Sequence, residues 1–267
     1  MFTESFILFI ASFFAGLLGS MSGLGGGLII VPLLLYGFDV PLLYAVGASL
    51  LSVIATSIAT TATLLPRKLT HIHLGIFLET GSVLGAIFGA TIAALVPTKA
   101  IALIFSFVLF YSAYQGFRGP PLPKVFKPGY KSPIDFSYVY EGQKMEVHHP
   151  FLGWFFMMMG GVLSGLLGIG SGVFNVVIFE RLMGLPLIIA TATSSSIIGM
   201  TAAASGWVYW EKGYMDPRLI TAIIPAILLG SFAGAYLLKY VSKRFIRLLF
   251  SGFVLLMGFR MLWGALS

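Results

Sequence analysis

From Ser5 to Phe38 this chain carries no charged side chain, and from Val40 to Pro66 it carries none again. An ordinary soluble domain is about 25% charged. This sequence is 9% charged and 58% hydrophobic, with a mean hydropathy of +0.99. No soluble core of this length hides that much apolar surface. The fold class expected is therefore an all-α polytopic membrane protein. The opening "MFTESFILFI" has neither a basic stretch nor a small-residue cleavage site, so it reads as a retained first segment. Cysteine is absent, which removes disulfides, thiolate metal sites and cysteine nucleophiles. The net charge of +7 is read as the Lys and Arg of short loops that set membrane orientation. Nucleic-acid binding is not expected.

Apolar segments cover residues 5–36, 41–65, 72–96 and 100–117, then 151–179, 186–210, 219–241 and 246–266. That makes about eight transmembrane segments. The first and fifth are too long for one straight span, and both hold glycine clusters. Between the halves lies a polar stretch, 118–149. It begins with the proline-rich "GPPLPKVFKPGYKSP" and continues in strand-like alternation around "EGQK", which suggests a short β-hairpin. Its His148–His149 pair has no third ligand nearby and is weak as a metal site.

The halves match when residue n is set on residue n+145. Gly23, Gly25 and Gly27 fall on Gly168, Gly170 and Gly172; Pro41 falls on Pro186, Ser49 on Ser194 and Thr56 on Thr201. From Gly16 to Ala59 the ungapped alignment gives 12 identities in 44 positions. The organisation expected is a first transmembrane repeat at 1–117, a connecting loop at 118–149 and a second repeat at 150–267. Four spans per repeat would make the halves parallel. A re-entrant hairpin at each glycine cluster would leave three, and the halves would be inverted. Sequence leaves that choice open and favours eight segments with the first and fifth helices broken. On the four-span plan Arg67, Lys68, Arg118, Lys144, Lys212, Arg218 and Arg260 share the face of the central loop, with Lys124, Lys127 and Lys131. Lys99, Arg181, Lys239, Lys243, Arg244 and Arg247 take the other face. That count favours a cytoplasmic N-terminus.

The stretch "GLGGGLIIVP" is neither a phosphate loop nor a dinucleotide fingerprint. No Gly-Lys-Ser/Thr follows it, and Leu28 stands where the third fingerprint glycine belongs. Three readings remain. Glycines allow close helix packing; they form a hinge; or they unwind the helix and aim free N–H groups and a positive dipole end into the membrane centre, where an anion can bind. The third reading makes Gly25, Gly26 and Gly27, with Gly170, Ser171 and Gly172, candidate substrate-binding residues. Non-helical backbone at that depth needs a protein-lined cavity.

Hydroxyls accompany the glycines. Ser49, Ser52 and Thr56 share one helical face. The second half offers Thr191, Ser194 and Thr201, with Thr193, Ser195 and Ser196 beside them. Such groups often bond their own helix, but two matching faces beside two matching breaks also suit a polar path. Ser49, Ser52, Thr56, Ser194, Ser195 and Thr201 are therefore candidates. Asn175 adds an amide where the first half has Ile30. Glu79 lies within the third segment. It is read either as a proton-coupling carboxylate or as an interfacial group near Arg67 and Lys68. Neither a metal cluster nor a catalytic triad stands out, and no cofactor and no enzymatic activity are expected.

The stretches "GLLGSMSGLGGGLIIVPLLL" with "GASLLSVIATS", repeated as "GVLSGLLGIGSGVFNVVIF" with "ATATSSSIIGMTAAASG", resemble the sulfite exporter TauE/SafE family over nearly the whole chain. The second half departs from the pattern, with Ser171 for a glycine and Val177 where Pro32 has its partner. The resemblance implies a multi-pass plasma-membrane permease for anions such as sulfite or small organosulfonates. The function expected is secondary transport of a small oxyanion by alternating access, with the bilayer and the anion as partners, proton or ion coupling conceivable and a homo-oligomer left open. The competing readings are an anion channel, a metal-cation transporter, which lacks intramembrane ligands beyond Glu79, and a membrane enzyme, which lacks paired catalytic residues.

Overall fold

The computed structural model describes residues 2–22, 25–64, 66, 70–118, 136, 138–140, 143–145, 147–237 and 242–266. In the first half these form α1 (Phe2–Ser22), α2 (Gly27–Gly37), α3 (Leu42–Leu64), α4 (Ile72–Ala93) and α5 (Thr98–Arg118). In the second half they form α6 (Pro150–Leu167), α7 (Gly172–Val177) running on as a π-helical turn (Ile178–Leu182), α8 (Leu187–Glu211), α9 (Pro217–Leu237) and α10 (Lys243–Leu266). Glu180 and Arg181 thus sit in helical backbone. Seven of the described helices are long and apolar enough to cross a membrane, and α1 and α2 add shorter apolar stretches. The protein is a multi-pass helical membrane protein. The first and fifth apolar segments are both broken at their glycines.

The 145-residue offset recurs in the helices. Gly27 and Gly172, Leu42 and Leu187, Ile72 and Pro217, and Thr98 and Lys243 are paired helix starts. Between the halves a small hairpin pairs β1 (Tyr138–Tyr140) antiparallel to β2 (Gln143–Met145), with Val139 opposite Lys144. The proline-rich stretch, Lys124, Lys127 and Lys131 lie outside the described residues, as do Gly23, Arg67, Lys68 and Lys239.

Helices pack most closely where glycines remove side chains. Lipid gives no hydrophobic drive between helices, so close van der Waals approach supplies it. On α4, Gly81, Gly85 and Gly89 lie against Trp154, Met158 and Val162 of α6. Numbers rise together along this pair, so α4 and α6 run parallel. Phe13 against Gly230 and Leu17 against Gly234 make α1 and α9 parallel in the same way.

Other neighbours fix the remaining directions. Ser57 Oγ donates to the Ser195 carbonyl at 2.7 Å, whereas a Cβ on Gly206 would lie 4.0 Å from Leu50 Cβ. Numbers rise along α3 as they fall along α8, so these equivalent helices are antiparallel. Gly116 against Ser251 and Gly258 against Phe110 make α5 and α10 antiparallel too. The repeats are therefore inverted, a common plan in secondary transporters.

Inversion follows from a reversal at each break. In the second half Phe174 packs on Gly160, and Met183 lies against Gly153 and accepts from the His148 N–H at 3.3 Å. The chain has returned to the level at which α6 began. In the first half Gly25 and Gly26 lie on Gly19 of α1, the same turn back. Each half thus has one re-entrant hairpin and three crossing helices. This corrects the charge grouping made on four spans per half. Lys212 reaches the Ala90 and Thr91 carbonyls at 3.2 and 2.5 Å, at the end of α4. Lys212, Arg218 and Arg260 therefore share an end with Lys99, whereas Arg181, bonded to Gln115 at 3.0 Å, shares the opposite end with Arg118, Arg244 and Arg247. The count behind a cytoplasmic N-terminus no longer holds, because a hairpin adds no crossing.

Candidate functional site

The two breaks meet at the centre of the bundle. A Cβ placed on Gly27 would lie 2.9 Å from the Gly168 carbonyl and 2.9 Å from Ser49 Oγ. Val53 of α3 sits beside both Gly25 and Gly170, with Ile198 of α8 also against Gly25. Gly25 and Gly170 turn the chain at φ of +81° and +69°, a region that glycine enters without a Cβ clash. Helices α2 and α7 then start from this centre and run toward opposite ends. The first bonds of α2 run from Ile29 and Ile30 N–H to the Gly26 carbonyl; those of α7 run from Phe174 and Asn175 N–H to the Ser171 carbonyl. The N–H groups ahead of them lack an intrahelical acceptor. Close packing and a helix start are therefore both present at Gly27, which is buried.

The candidate hydroxyls behave differently from one another. Ser49 Oγ reaches the Gly168 carbonyl at 2.6 Å and the Gly27 carbonyl at 3.2 Å, tying the two breaks together. Ser52 and Thr56 donate to the Ala48 and Ser52 carbonyls of their own helix, at 3.0 and 2.8 Å. Thr56 Oγ1 also accepts from Ser231 at 3.3 Å. Ser196 bonds its own helix at Ala192, and Thr193 accepts the His71 N–H. Ser195 contributes its carbonyl to Ser57. Ser194 Oγ is buried without a partner, and so are both amide atoms of Asn175. Buried polar atoms without partners cost about 1–3 kcal/mol each.

Glu79 lies seven residues beyond the start of α4 and is 2% exposed. Its Oε1 accepts from the Thr201 backbone N–H at 2.7 Å and from the Thr201 hydroxyl; Oε2 is buried without a partner. Arg67 and Lys68 lie outside the described residues. Thr201 Oγ1 also contacts Ser82 Oγ at 2.9 Å and Ser171 Oγ at 3.4 Å. Glu79, Thr201 and Ser171 are thus joined across the two repeats. Ser82 was missed in the sequence, although it stands three residues after Glu79 on the same helical face. Gly170 and Gly172 frame Ser171, and all of the polar residues of this centre are buried. In the conformation described, Glu79, Ser82, Ser171 and Thr201 are each at most 2% exposed. Among the described residues no group of three His, Cys, Asp or Glu stands together.

Comparison with known proteins points to a membrane transporter. The probable membrane transporter protein YunE of Bacillus subtilis (strain 168) is similar over 272 residues at 25% identity, covering 96% of this chain and 97% of that protein. The probable membrane transporter protein MJ0441 of Methanocaldococcus jannaschii is 24% identical over 271 residues, 96% of this chain and 94% of its own. No solved structure matches the chain. The profile of the family described as Sulfite exporter TauE/SafE matches residues 8–261, and the chain belongs to that family of membrane transporters.

Proposed function

We propose that the protein is a secondary transporter of the plasma membrane for small oxyanions, with sulfite or an organosulfonate as cargo, working by alternating access. The observation that carries this reading is the meeting of the two breaks. The helix start at Gly27 lies against Gly168 of the second break and Ser49, while Asn175, one turn into α7, and Ser194, the counterpart of Ser49, keep buried donors without partners. Donor N–H groups and positive dipole ends bind an anion without a fixed cation. Gly25, Gly26, Gly170 and Ser171 shape the loops around it. Burial of these side chains suits a carrier, which must open to load. Inverted repeats supply the means, since exchanging the conformations of the two halves exposes the same centre to the other side.

The test is flux of labelled sulfite and labelled isethionate in proteoliposomes containing the purified protein. Saturable, carrier-speed flux of either anion is expected. Absence of flux of both would sink the cargo assignment, and bilayer conductance far above carrier rates would favour a channel.

A further inference from the structure

We propose that Glu79 is a proton-binding site coupled to anion binding at the second break through Thr201 and Ser171, so that anion and proton move together. This inference rests on the transport reading given above.

The first support is the chemistry around the carboxyl group. Both contacts on Oε1 are donors from Thr201, and Oε2 has no partner. A metal cation would need several further oxygen acceptors, whereas a proton needs only Oε2. Among the described residues no cation pairs with Glu79: Arg181, on the π-helical turn with Glu180, bonds Gln115 instead. Helices α6 and α7 carry no ionisable residue. Helix α8 carries Tyr209 and Glu211, eight and ten residues past Thr201. On α4 itself His71 caps the helix, accepting the Leu74 N–H at 3.2 Å, and His73 is exposed. An isolated carboxylate in the membrane interior is costly, and protonation removes that cost.

The second support is the direction of the hydrogen bonds. Thr201 has one hydroxyl proton and gives it to Glu79. Ser82 and Ser171 can therefore meet Thr201 Oγ1 only as donors. In the conformation described the Ser171 proton is spent on this chain of hydrogen bonds. An anion at the Gly170–Gly172 break would draw the Ser171 proton to itself and loosen the hold on Glu79. An ionised Glu79 would repel that anion. Loading then proceeds as one proton from water adding to Oε2, giving a neutral carboxylic acid, with the anion entering beside it; unloading returns both on the other face.

The third support is the asymmetry of the repeats. The position 145 residues beyond Glu79 is Ile224. A purely structural requirement shared by the halves is met there by an alkyl chain.

The experiment has two arms. In proteoliposomes with labelled isethionate, whose sulfonate stays ionised, an inward pH gradient should drive accumulation and acidify a lumenal dye. Glu79→Gln should reduce accumulation by roughly tenfold or more and flatten the pH profile of exchange. Independently, infrared difference spectra of the purified protein should show a carboxylic-acid carbonyl band that titrates and vanishes in Glu79→Gln; Glu79→Ile, the natural residue of the other repeat, serves if the glutamine variant misfolds. Persistence of gradient-driven accumulation in the variant, or spectra with no such band, overturns the proposal. A band that titrates in a protein moving neither sulfite nor isethionate would instead fault the cargo assignment and leave the proton site standing.

Discussion

The first break, Gly25 to Gly27, and the second, Gly170 to Gly172, share a backbone turn and differ in what surrounds it. In the first half Ser49 is bonded twice, Thr56 is bonded to its own helix, and Ile30 stands where the second half has Asn175. In the second half Ser194 and Asn175 are unbonded, and Thr201 grips Glu79. Helix α2 contains Pro32, whereas α7 passes into a π-helical turn, a form that gathers at functional sites. Duplication has kept the geometry of both breaks. Under the proposed function, bonded Ser49 belongs to the scaffold, whereas unbonded Ser194 and Asn175 face the cargo.

The comparison presumes inverted halves, so the test with the largest effect is all-or-none labelling. The chain has no cysteine, and single-cysteine variants therefore report one site each. Lys99→Cys and Lys212→Cys should react with an impermeant maleimide from one side of the membrane. Arg118→Cys and Arg244→Cys should react from the other. Labelling of Lys212→Cys together with Arg118→Cys would restore parallel halves and undo the pairing of the two breaks.

Next in size is the contact between the breaks. A Cβ on Gly27 would stand 2.8 Å from Val53 Cγ2 as well as against Gly168 and Ser49. Gly27→Leu should abolish transport. Gly27→Ala should destabilise by about 1–3 kcal/mol through overpacking, read as a fall in melting temperature in detergent. Gly26→Ala should be mild, because its nearest neighbours are 3.4 Å away. Gly170→Ala adds the left-handed backbone cost of about 1–2 kcal/mol to a 2.8 Å contact with Val53.

The repeat and both breaks were legible because glycine and proline mark the backbone directly and recur at one offset. Direction was not. An apolar run reads the same whether the helix continues across the membrane or folds back on itself, so Arg118 and Lys212 were placed together and are apart. Hydroxyl roles were hidden for a different reason. Ser52 and Ser194 are both serines on small-residue helices, yet one bonds its own carbonyl and the other has no partner. Which occurs depends on the neighbouring backbone. The Glu79–Thr201 bond joins residues 122 apart in sequence, and only the packing of α4 on α8 brings them together.

Asn175→Ile would make the second half resemble the first at that position. Removing an amide whose two polar atoms lack partners should raise stability by about 1–3 kcal/mol. The same change should reduce anion flux, since it deletes a donor beside the second break. A rise in melting temperature with loss of flux would tie the unsatisfied amide to cargo binding. Unchanged flux would mean that Asn175 is no part of the anion site.

The smallest effect separates the matched serines. Ser49→Ala removes the hydroxyl that holds the Gly168 carbonyl at 2.6 Å and leaves a buried acceptor with one bond fewer, a loss of about 1 kcal/mol. Ser194→Ala removes a hydroxyl with no partner, so its stability should stay level or rise slightly. If Ser194 instead donates to the cargo, its alanine variant should bind the anion more weakly at unchanged melting temperature, while Ser49→Ala loses stability first. Equal melting shifts in the two variants would mean that the halves are chemically alike at this position, and the division between scaffold and ligand side would fail there.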